Sequence, residues 1–420
     1  MSPRPRHTPT SRRQFIAQLG ALTAGLHCAR AATEDPSPLA ASFDPVMESF
    51  MSDRGFPGGS LAVIRDGRMV FAKGYGWADV DAGEKAGPDS LFRLASLSKP
   101  ITAMAVMTLV ESGGLDLDDP FAELLRPNKL FPAADQWPEG WDRVTIRHLL
   151  EHVGGWDREV SFDPMFRTRA IQEALHLAGV PDTWDVIRYM SGHPLDQAPG
   201  ARYAYSNFGY CILGRVIEQV TGMGYEAYVK KQLLVPLGIR TMRLGATRAG
   251  ERARGEVRYY MPDGRKARSV FPDVEARVPW PYGGFLLEIM DAHGGWVASA
   301  PDLARLSIAL QGQGPTPILK PKSVRRIAEP PEPPASRKDG ELEATYYGLG
   351  WMIRPLKEEG RYNAWHSGSL PGTSTIWIRR ADGIAWAALF NQRSDQDRAK
   401  DSEIDFRLNR AINRVKQWPG

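Results

Sequence analysis

Cysteine is nearly absent. The 420-residue chain has two, Cys28 and Cys211, which excludes the disulfide framework that staples small secreted domains. Long apolar runs are missing too: the stretch from Phe15 to Leu26 is interrupted by Gln18 and is too short to span a bilayer. No heptad or collagen-like repeat is visible, so a coiled coil or a fibre is excluded. Net charge is small. Five arginines in the first 31 residues (Arg4, Arg6, Arg12, Arg13, Arg30) more than account for the formal +4, leaving −1 for the rest. That balance gives no reason to expect a nucleic-acid partner.

What is present is a chain that is 42% hydrophobic and 10% aromatic, with 41 Gly, 33 Pro and 12 Trp. Such a length and composition support one large core or two packed lobes joined by many tight turns. The first 31 residues are a different matter: they hold no acidic residue, and Ser11-Arg12-Arg13-Gln14-Phe15-Ile16 resembles the twin-arginine export signal of bacteria. Ala29-Arg30-Ala31 supplies a small-x-small cleavage pattern. Residues 1–31 are therefore expected to be a twin-arginine-type signal peptide read by the twin-arginine export machinery. The mature chain is expected to be periplasmic or secreted, without a stable membrane span. A lipoprotein attached through Cys28 is the alternative, disfavoured by His27 before it. After cleavage only Cys211 remains, so no intrachain disulfide is possible.

Turn and period signals organise the rest. Phe43 to Met51 has helical spacing, and Gly59 to Lys73 reads as two strands around Asp66-Gly67. Ile101, Met104, Met107 and Val110 mark a buried helix from Leu97 to Ser112, stopped by Gly113-Gly114. Residues from about 115 to 245 read as helices cut by Pro and Gly, among them Asn207 to Thr221, closed by Gly222. Glu256 to Lys266 predicts a hairpin with Asp263-Gly264 at its turn, and Ser299-Ala-Pro-Asp302 a capped helix through Leu310. Glu329 to Pro334 reads as a stiff surface loop. Strands are expected over Tyr347–Arg354, Tyr362–His366, Thr373–Arg379 and Ile384–Asn391, then a helix over Ser402–Val415.

The fold class expected is α/β (α+β): an antiparallel sheet flanked by helices and built from both termini, with an inserted mainly helical lobe. In residues, 32–95 and 285–420 form the α/β lobe and 96–284 the helical insert, with a hairpin near 256–271. A cleft between the two would be the place for a site. The segments 160–198, 256–285 and 329–337 are expected to shape it.

Ser96-Leu97-Ser98-Lys99 at a helix start places a hydroxyl and an amine one helical turn apart, near the positive end of the helix dipole. A serine needs a base, and a lysine partly desolvated between lobes can be one. About one Ser-x-x-Lys occurs by chance in a chain of this length, so context must decide. Tyr205-Ser206-Asn207 offers a phenol that a nearby lysine could draw toward phenolate, and an amide that could hold a substrate amide; alone, the two could equally cap a core and a helix. His-x-Gly occurs at His152, His293 and His366. Only His366-Ser367-Gly368 lies in a strand context, where a backbone N–H can meet an acyl oxygen and Gly368 lets substrate approach.

Together these residues resemble serine β-lactamase-like proteins. Phe92 to Pro100, Thr145 to Gly155, Pro199 to Tyr210 and His366 to Gly368 occur in the order seen in that superfamily. The likeness is greatest to the branch with class C β-lactamases, D-Ala-D-Ala carboxypeptidases, D-aminopeptidases and β-lactamase-fold esterases. The resemblance implies a β-lactamase/transpeptidase-like fold over residues 40 to 415 and no cofactor or metal. It implies that Ser96 attacks a carbonyl to form an acyl-enzyme, with Lys99 and Tyr205 sharing the proton traffic. Asn207 would hold the substrate amide, and Gly368 would line the substrate site. The backbone N–H groups of Ser96 and Ser369 would hold the oxyanion, with His366 on the cleft wall. Substrates would be esters, amides, D-amino-acid peptides or β-lactams. The His-Ser-Gly replaces the Lys-Thr-Gly of most β-lactamases, and a histidine is a weak fixed cation for a substrate carboxylate.

Two other readings are open. His148-Leu149-Leu150-Glu151-His152 matches a zinc metallopeptidase pattern, with His148 and His152 as ligands and Glu151 activating water. The chain could also be a non-catalytic penicillin- or peptide-binding protein on the same fold.

Overall fold

The structure is a computed structural model and describes residues 38–274, 276–312, 316–358, 360–395 and 401–419. The expected signal at 1–31 and Cys28 lie outside these residues. No helix among them is long and apolar enough to cross a membrane.

The expected hairpin forms between β1 (Gly58–Arg65) and β2 (Arg68–Asp79). Its two-residue turn has Asp66 at φ +48° and Gly67 at φ +75°, the left-handed pair that matches strand twist. Beyond it come the short β3 (Glu84–Lys85) and, from the C-terminal third, β4 (Tyr346–Tyr347), β5 (Met352–Pro355), β6 (Tyr362–Leu370), β7 (Thr373–Arg379) and β8 (Ile384–Phe390). These make one antiparallel sheet in the order β4-β5-β6-β7-β8-β1-β2-β3, so both ends of the chain build it.

Alternation sorts the central strands between two cores. Leu61, Val63, Ile376, Ile378, Trp386 and Ala388 face the smaller core under α1 (Pro38–Arg54) and the C-terminal helix Glu403–Arg414. Ala62, Ile64, Trp377, Ala385, Ala387 and Leu389 face the larger one. Both faces being covered explains why β8 is buried at every position, each large aliphatic contributing about 1.5–3 kcal/mol. The C-terminal helix supplies Ile404, Leu408, Ala411 and Ile412, an i, i+4, i+7, i+8 stripe.

The larger core continues from the sheet into the helical region, through α2 (Ser98–Ser112) and α3 (Asn207–Thr221). Short helices Phe121–Leu125, Ile146–Leu150, Thr168–Ala174, Thr183–Met190 and Tyr225–Val229 surround them. The helix Ala300–Leu310 opens on the expected capping box, with Ser299 accepting from the Asp302 N–H. A patch in which Trp296–Ala298 pairs with Phe92–Arg93 and with Arg243–Leu244 ties the two regions together beside Ser96.

Two expectations fail locally. Glu256 to Lys266 is not a hairpin; Asp263-Gly264 does turn, but the strands that pair are Lys266–Arg268 and Arg277–Pro279. Residues 256–259 are drawn inward instead: Val257 N–H bonds Leu91 O, and Tyr259 O–H donates to Glu256 at 2.9 Å beside Arg93. The strand expected over Tyr347–Arg354 is broken between Gly348 and Trp351. There Gly350, at φ +83°, lies where a Cβ would come within 2.5 Å of Ala103 Cβ on α2.

Candidate active site

Ser96 is the middle residue of a 3₁₀ turn, Ala95–Leu97, that runs into α2. Ala95 is held at φ +50°, a left-handed conformation that non-glycine residues rarely adopt. The turn is pinned from behind by the sheet. Thr375 Oγ1 donates to Leu94 O at 2.9 Å and Thr373 Oγ1 to Arg93 O at 3.1 Å. Gly368 is buried at this contact, and a Cβ there would fall 2.3 Å from Leu94 O and 3.2 Å from Ala95 Cβ. Its lack of a side chain lets β6 press against the turn.

The side chains then converge on one oxygen. Lys99 Nζ lies 3.2 Å from Ser96 Oγ, and Tyr205 O–H donates to the same oxygen at 2.9 Å. Lys99 is fully buried, and its other contacts are Asn207 Oδ1 at 2.7 Å and the His293 carbonyl at 3.2 Å. Burial holds its pKa well below the ordinary lysine value, with Arg158 adding to the effect and Asp163 opposing it. A neutral amine has two hydrogens and one lone pair. The amide oxygen and the carbonyl can only accept, so they take the two hydrogens and leave the lone pair for the Ser96 hydroxyl.

Burial likewise raises the Tyr205 phenol above its usual range, against the lowering effect of its bond to Ser96. The phenol is therefore a donor here, where the sequence suggested that Lys99 would draw it toward phenolate. Around it, His152 lies against the Tyr205 ring at 4.2 Å between centroids, and Arg158 stacks over it at 4.8 Å. Asn207, the first residue of α3, donates through Nδ2 to Asp163 Oδ2 at 2.6 Å. The helix cap itself is Ser206.

Ser96, Arg158, Tyr205 and Ser369 line two adjoining cavities, so Ser96 stands where they meet. One, of about 330 Å³, has apolar walls from Phe166, Trp280, Met290 and Leu370, with Asn207 and Arg393. The other, of about 680 Å³, is walled by Tyr203, Tyr347, Met352 and His366. His366 Nδ1 bonds Ser367 O at 2.7 Å and Nε2 bonds Tyr347 O–H at 2.8 Å. Nδ1 therefore carries the proton and Nε2 accepts. Burial, with Lys99 nearby, pushes its pKa down to about 3, so it is neutral over the physiological range.

The zinc reading is corrected by geometry. The helix carrying His148 ends at Leu150, and His152 follows at φ +58°, so the two rings are not one turn apart on a common face. His148 Nδ1 accepts from Thr145 N–H at 3.2 Å, whereas His152 Nδ1 accepts from Ser206 N–H at 3.1 Å in the tyrosine cluster. No group of three or more His, Cys, Asp or Glu suited to a metal ion occurs among the described residues.

Sequence reasoning did not find Arg158, Asp163, or the parts played by His152 and the His293 carbonyl. His152 and His293 carried a signal, the two further His-x-Gly strings. Arg158 and Asp163 reach the site from a loop with no motif.

The profile of the family described as Beta-lactamase matches residues 43–409. The chain is 34% identical over 209 residues to the esterase EstB of Burkholderia gladioli, a stretch covering 49% of this chain and 52% of that protein. It is 28% identical over 329 residues to penicillin-binding protein 4* of Bacillus subtilis (strain 168), covering 77% and 65%. It thus spans about half to two-thirds of the length of these curated relatives. The octameric penicillin-binding protein homologue from Pyrococcus abyssi superposes with a TM-score of 0.66 at 26% identity, covering 88% of this chain and 77% of that one. A D-amino acid amidase from Ochrobactrum anthropi SV3 shares the fold, with a TM-score of 0.68 at 22% identity over 91% of this chain and all of that one. With the profile spanning most of its length, the chain belongs to the beta-lactamase family.

Proposed function

We propose that this protein is a serine hydrolase that forms an acyl-enzyme through Ser96. The observation that carries the reading is the pair of contacts at Ser96 Oγ, Lys99 Nζ at 3.2 Å and Tyr205 O–H at 2.9 Å, with the other hydrogen-bond partners of Lys99, Asn207 Oδ1 and the His293 carbonyl, both accepting from it. As Oγ bonds to the substrate carbonyl carbon, its proton passes to the Lys99 lone pair. The oxyanion is assigned to the backbone N–H groups of Ser96 and Ser369. The Ser96 N–H lies in a first turn, where such groups have no intrahelical acceptor. When the carbonyl–leaving-group bond breaks, Tyr205 supplies a proton to the leaving atom, and the proton held by Lys99 restores the balance. Water then attacks the acyl carbon and gives a proton to the neutral Lys99 amine, Tyr205 protonates the departing Ser96 Oγ, and the proton on Lys99 returns to the Tyr205 oxygen.

A carboxylic ester or simple amide is the substrate class we favour. His366 stands where most β-lactamases have a lysine, and it is neutral and already bonded to Tyr347. The esterase relative supports the same choice. The arginine-rich residues 1–31 support export by the twin-arginine route to the periplasm or beyond.

A fluorophosphonate probe should label the protein and fail to label Ser96→Ala, which should lose at least about 10³-fold in kcat/KM. Undiminished turnover by that variant would sink the reading. Side by side, a short-chain p-nitrophenyl ester should exceed a chromogenic cephalosporin and a D-alanyl peptide in kcat/KM. The reverse order would overturn the substrate class alone.

A further inference from the structure

We infer that Asp163 fixes the orientation of the Asn207 side-chain amide, and so prevents Asn207 from taking the Lys99 lone pair away from Ser96. The inference rests on Lys99 acting as the base for Ser96. Asn207 bridges two groups of opposite character. Its Nδ2 donates to Asp163 Oδ2 at 2.6 Å and its Oδ1 accepts from Lys99 Nζ at 2.7 Å.

The orientation follows from donor and acceptor chemistry. A carboxylate accepts only, and both oxygens of Asp163 are engaged as acceptors, Oδ1 taking the Met165 N–H at 3.1 Å. With the amide reversed, its oxygen would face Asp163 Oδ2 at about the same separation, acceptor against acceptor, which Asp163 forbids. Without Asp163 that penalty vanishes. The reversed amide would then point Nδ2–H at Lys99 and compete for the only lone pair available to Ser96.

Asp163 is placed for this by its own local structure. It is the N-cap of the 3₁₀ turn Pro164–Phe166, so its carboxylate is anchored by the turn it starts. It contacts Asn207, not Ser96, and is a positioning residue. Its charge also acts on Lys99 directly, favouring the ammonium, while Arg158 opposes it. The other titratable groups around Lys99 are His152, His293 and His366, neutral by burial, and Tyr205 and Tyr210, which also stay protonated.

The test is a double-mutant cycle on the full chain with a p-nitrophenyl ester. Asp163→Ala should lower kcat by about 10²-fold, the scale of a misplaced catalytic group, and change KM by less than about threefold. In an Asn207→Ala background no amide remains to misorient, so adding Asp163→Ala should change kcat by less than about threefold. Multiplying effects, or full activity in Asp163→Ala, would overturn the inference. Should Asp163→Ala fail to fold, Asp163→Asn removes the charge and one of the two acceptor oxygens; with its Oδ1 kept by the Met165 N–H, its Nδ2–H faces Asn207 and favours the reversed amide. Its kcat should fall by about 10²-fold, as in Asp163→Ala, a loss that should vanish in the Asn207→Ala background, while the acid limb of its pH profile moves to lower pH. An unmoved limb would count against the inference. Turnover surviving Ser96→Ala defeats the catalytic reading itself, whereas Ser96-dependent turnover with multiplying effects defeats only the role of Asp163.

Discussion

Two basic side chains, six residues apart in sequence and each fully buried, flank the turn that carries Ser96. Arg93 is surrounded by groups that suit a permanent charge. It donates to Pro281 O at 2.6 Å and Ala246 O at 2.8 Å, has Glu256 3.7 Å away, and lies 4.4 Å from the Tyr259 ring centroid. Lys99 also lies over an aromatic ring, Tyr205 at 4.6 Å to the centroid, but has no carboxylate in contact, only an amide oxygen, a carbonyl and a hydroxyl as hydrogen-bond partners. A guanidinium cannot give up its proton, so it must be matched by partners; an amine can, and burial favours its neutral form here. Burial makes one of them scaffolding and suits the other to the base we propose, and the difference lies in their neighbours.

Exchanging each basic side chain for an uncharged one of similar length should separate the two roles. Lys99→Met should reduce kcat/KM by about 10³-fold, within the span of general-base removal, with unfolding in urea close to that of the parent because no charge is left unmatched. Arg93→Met should do the opposite. It strands Glu256 and two carbonyls, so stability should drop by about 3–5 kcal/mol while the folded fraction keeps its fluorophosphonate labelling. If Lys99→Met were the more destabilising of the pair, the comparison would fail.

The buried imidazoles sharpen the same point through pH. His366 is held at about 3 in the fold against about 6.5 in an unfolded chain. Between those values the unfolded state binds more protons, so stability rises with pH. The contribution is present above about pH 6.5 and is lost as pH falls toward 3. Lowering the pH from 7 to 5 should cost roughly 2 kcal/mol through His366 alone, with His152 and His293, also neutral by burial, acting in the same direction. His366→Gln should flatten the dependence of thermal midpoint on pH; an unchanged slope would mean that His366 titrates in the fold as it does in the unfolded chain.

Local grammar made much of this legible. The sheet from both ends, the Asp66-Gly67 turn, the capped helix at Ser299 and the bounds of Asn207–Thr221 all follow from period and punctuation within a few residues. Ser96 and Lys99 were legible because a single turn joins them, and Tyr205 and Asn207 because they precede a marked helix start. Asp163 and Arg158 were not, since a loop residue reaches the site only through the path of the folded chain. Glu256 to Lys266 misled for a related reason: Val257, Tyr259 and Met261 are buried at i, i+2 and i+4, a tertiary demand near Arg93 with the period of a strand.

The smallest effect expected belongs to the residue whose sequence pattern promised a rival chemistry. His148 sits in a separate groove with Glu151, Arg147 and the loop Pro331–Ala335, and its Nδ1 accepts the Thr145 N–H. Burial raises the Glu151 carboxyl to about 8, with only Arg147 pulling it down. A metal-held water would need that carboxylate beside both imidazoles; instead His152 turns away to the Tyr205 ring. His148→Ala should therefore cost about 1 kcal/mol or less, the worth of a helix-cap bond, and change ester turnover by less than about twofold. A chelator should leave turnover untouched. Loss of activity on chelation, restored by zinc and absent from His148→Ala, would move the chemistry from Ser96 to this groove and reverse the assignment of both sites.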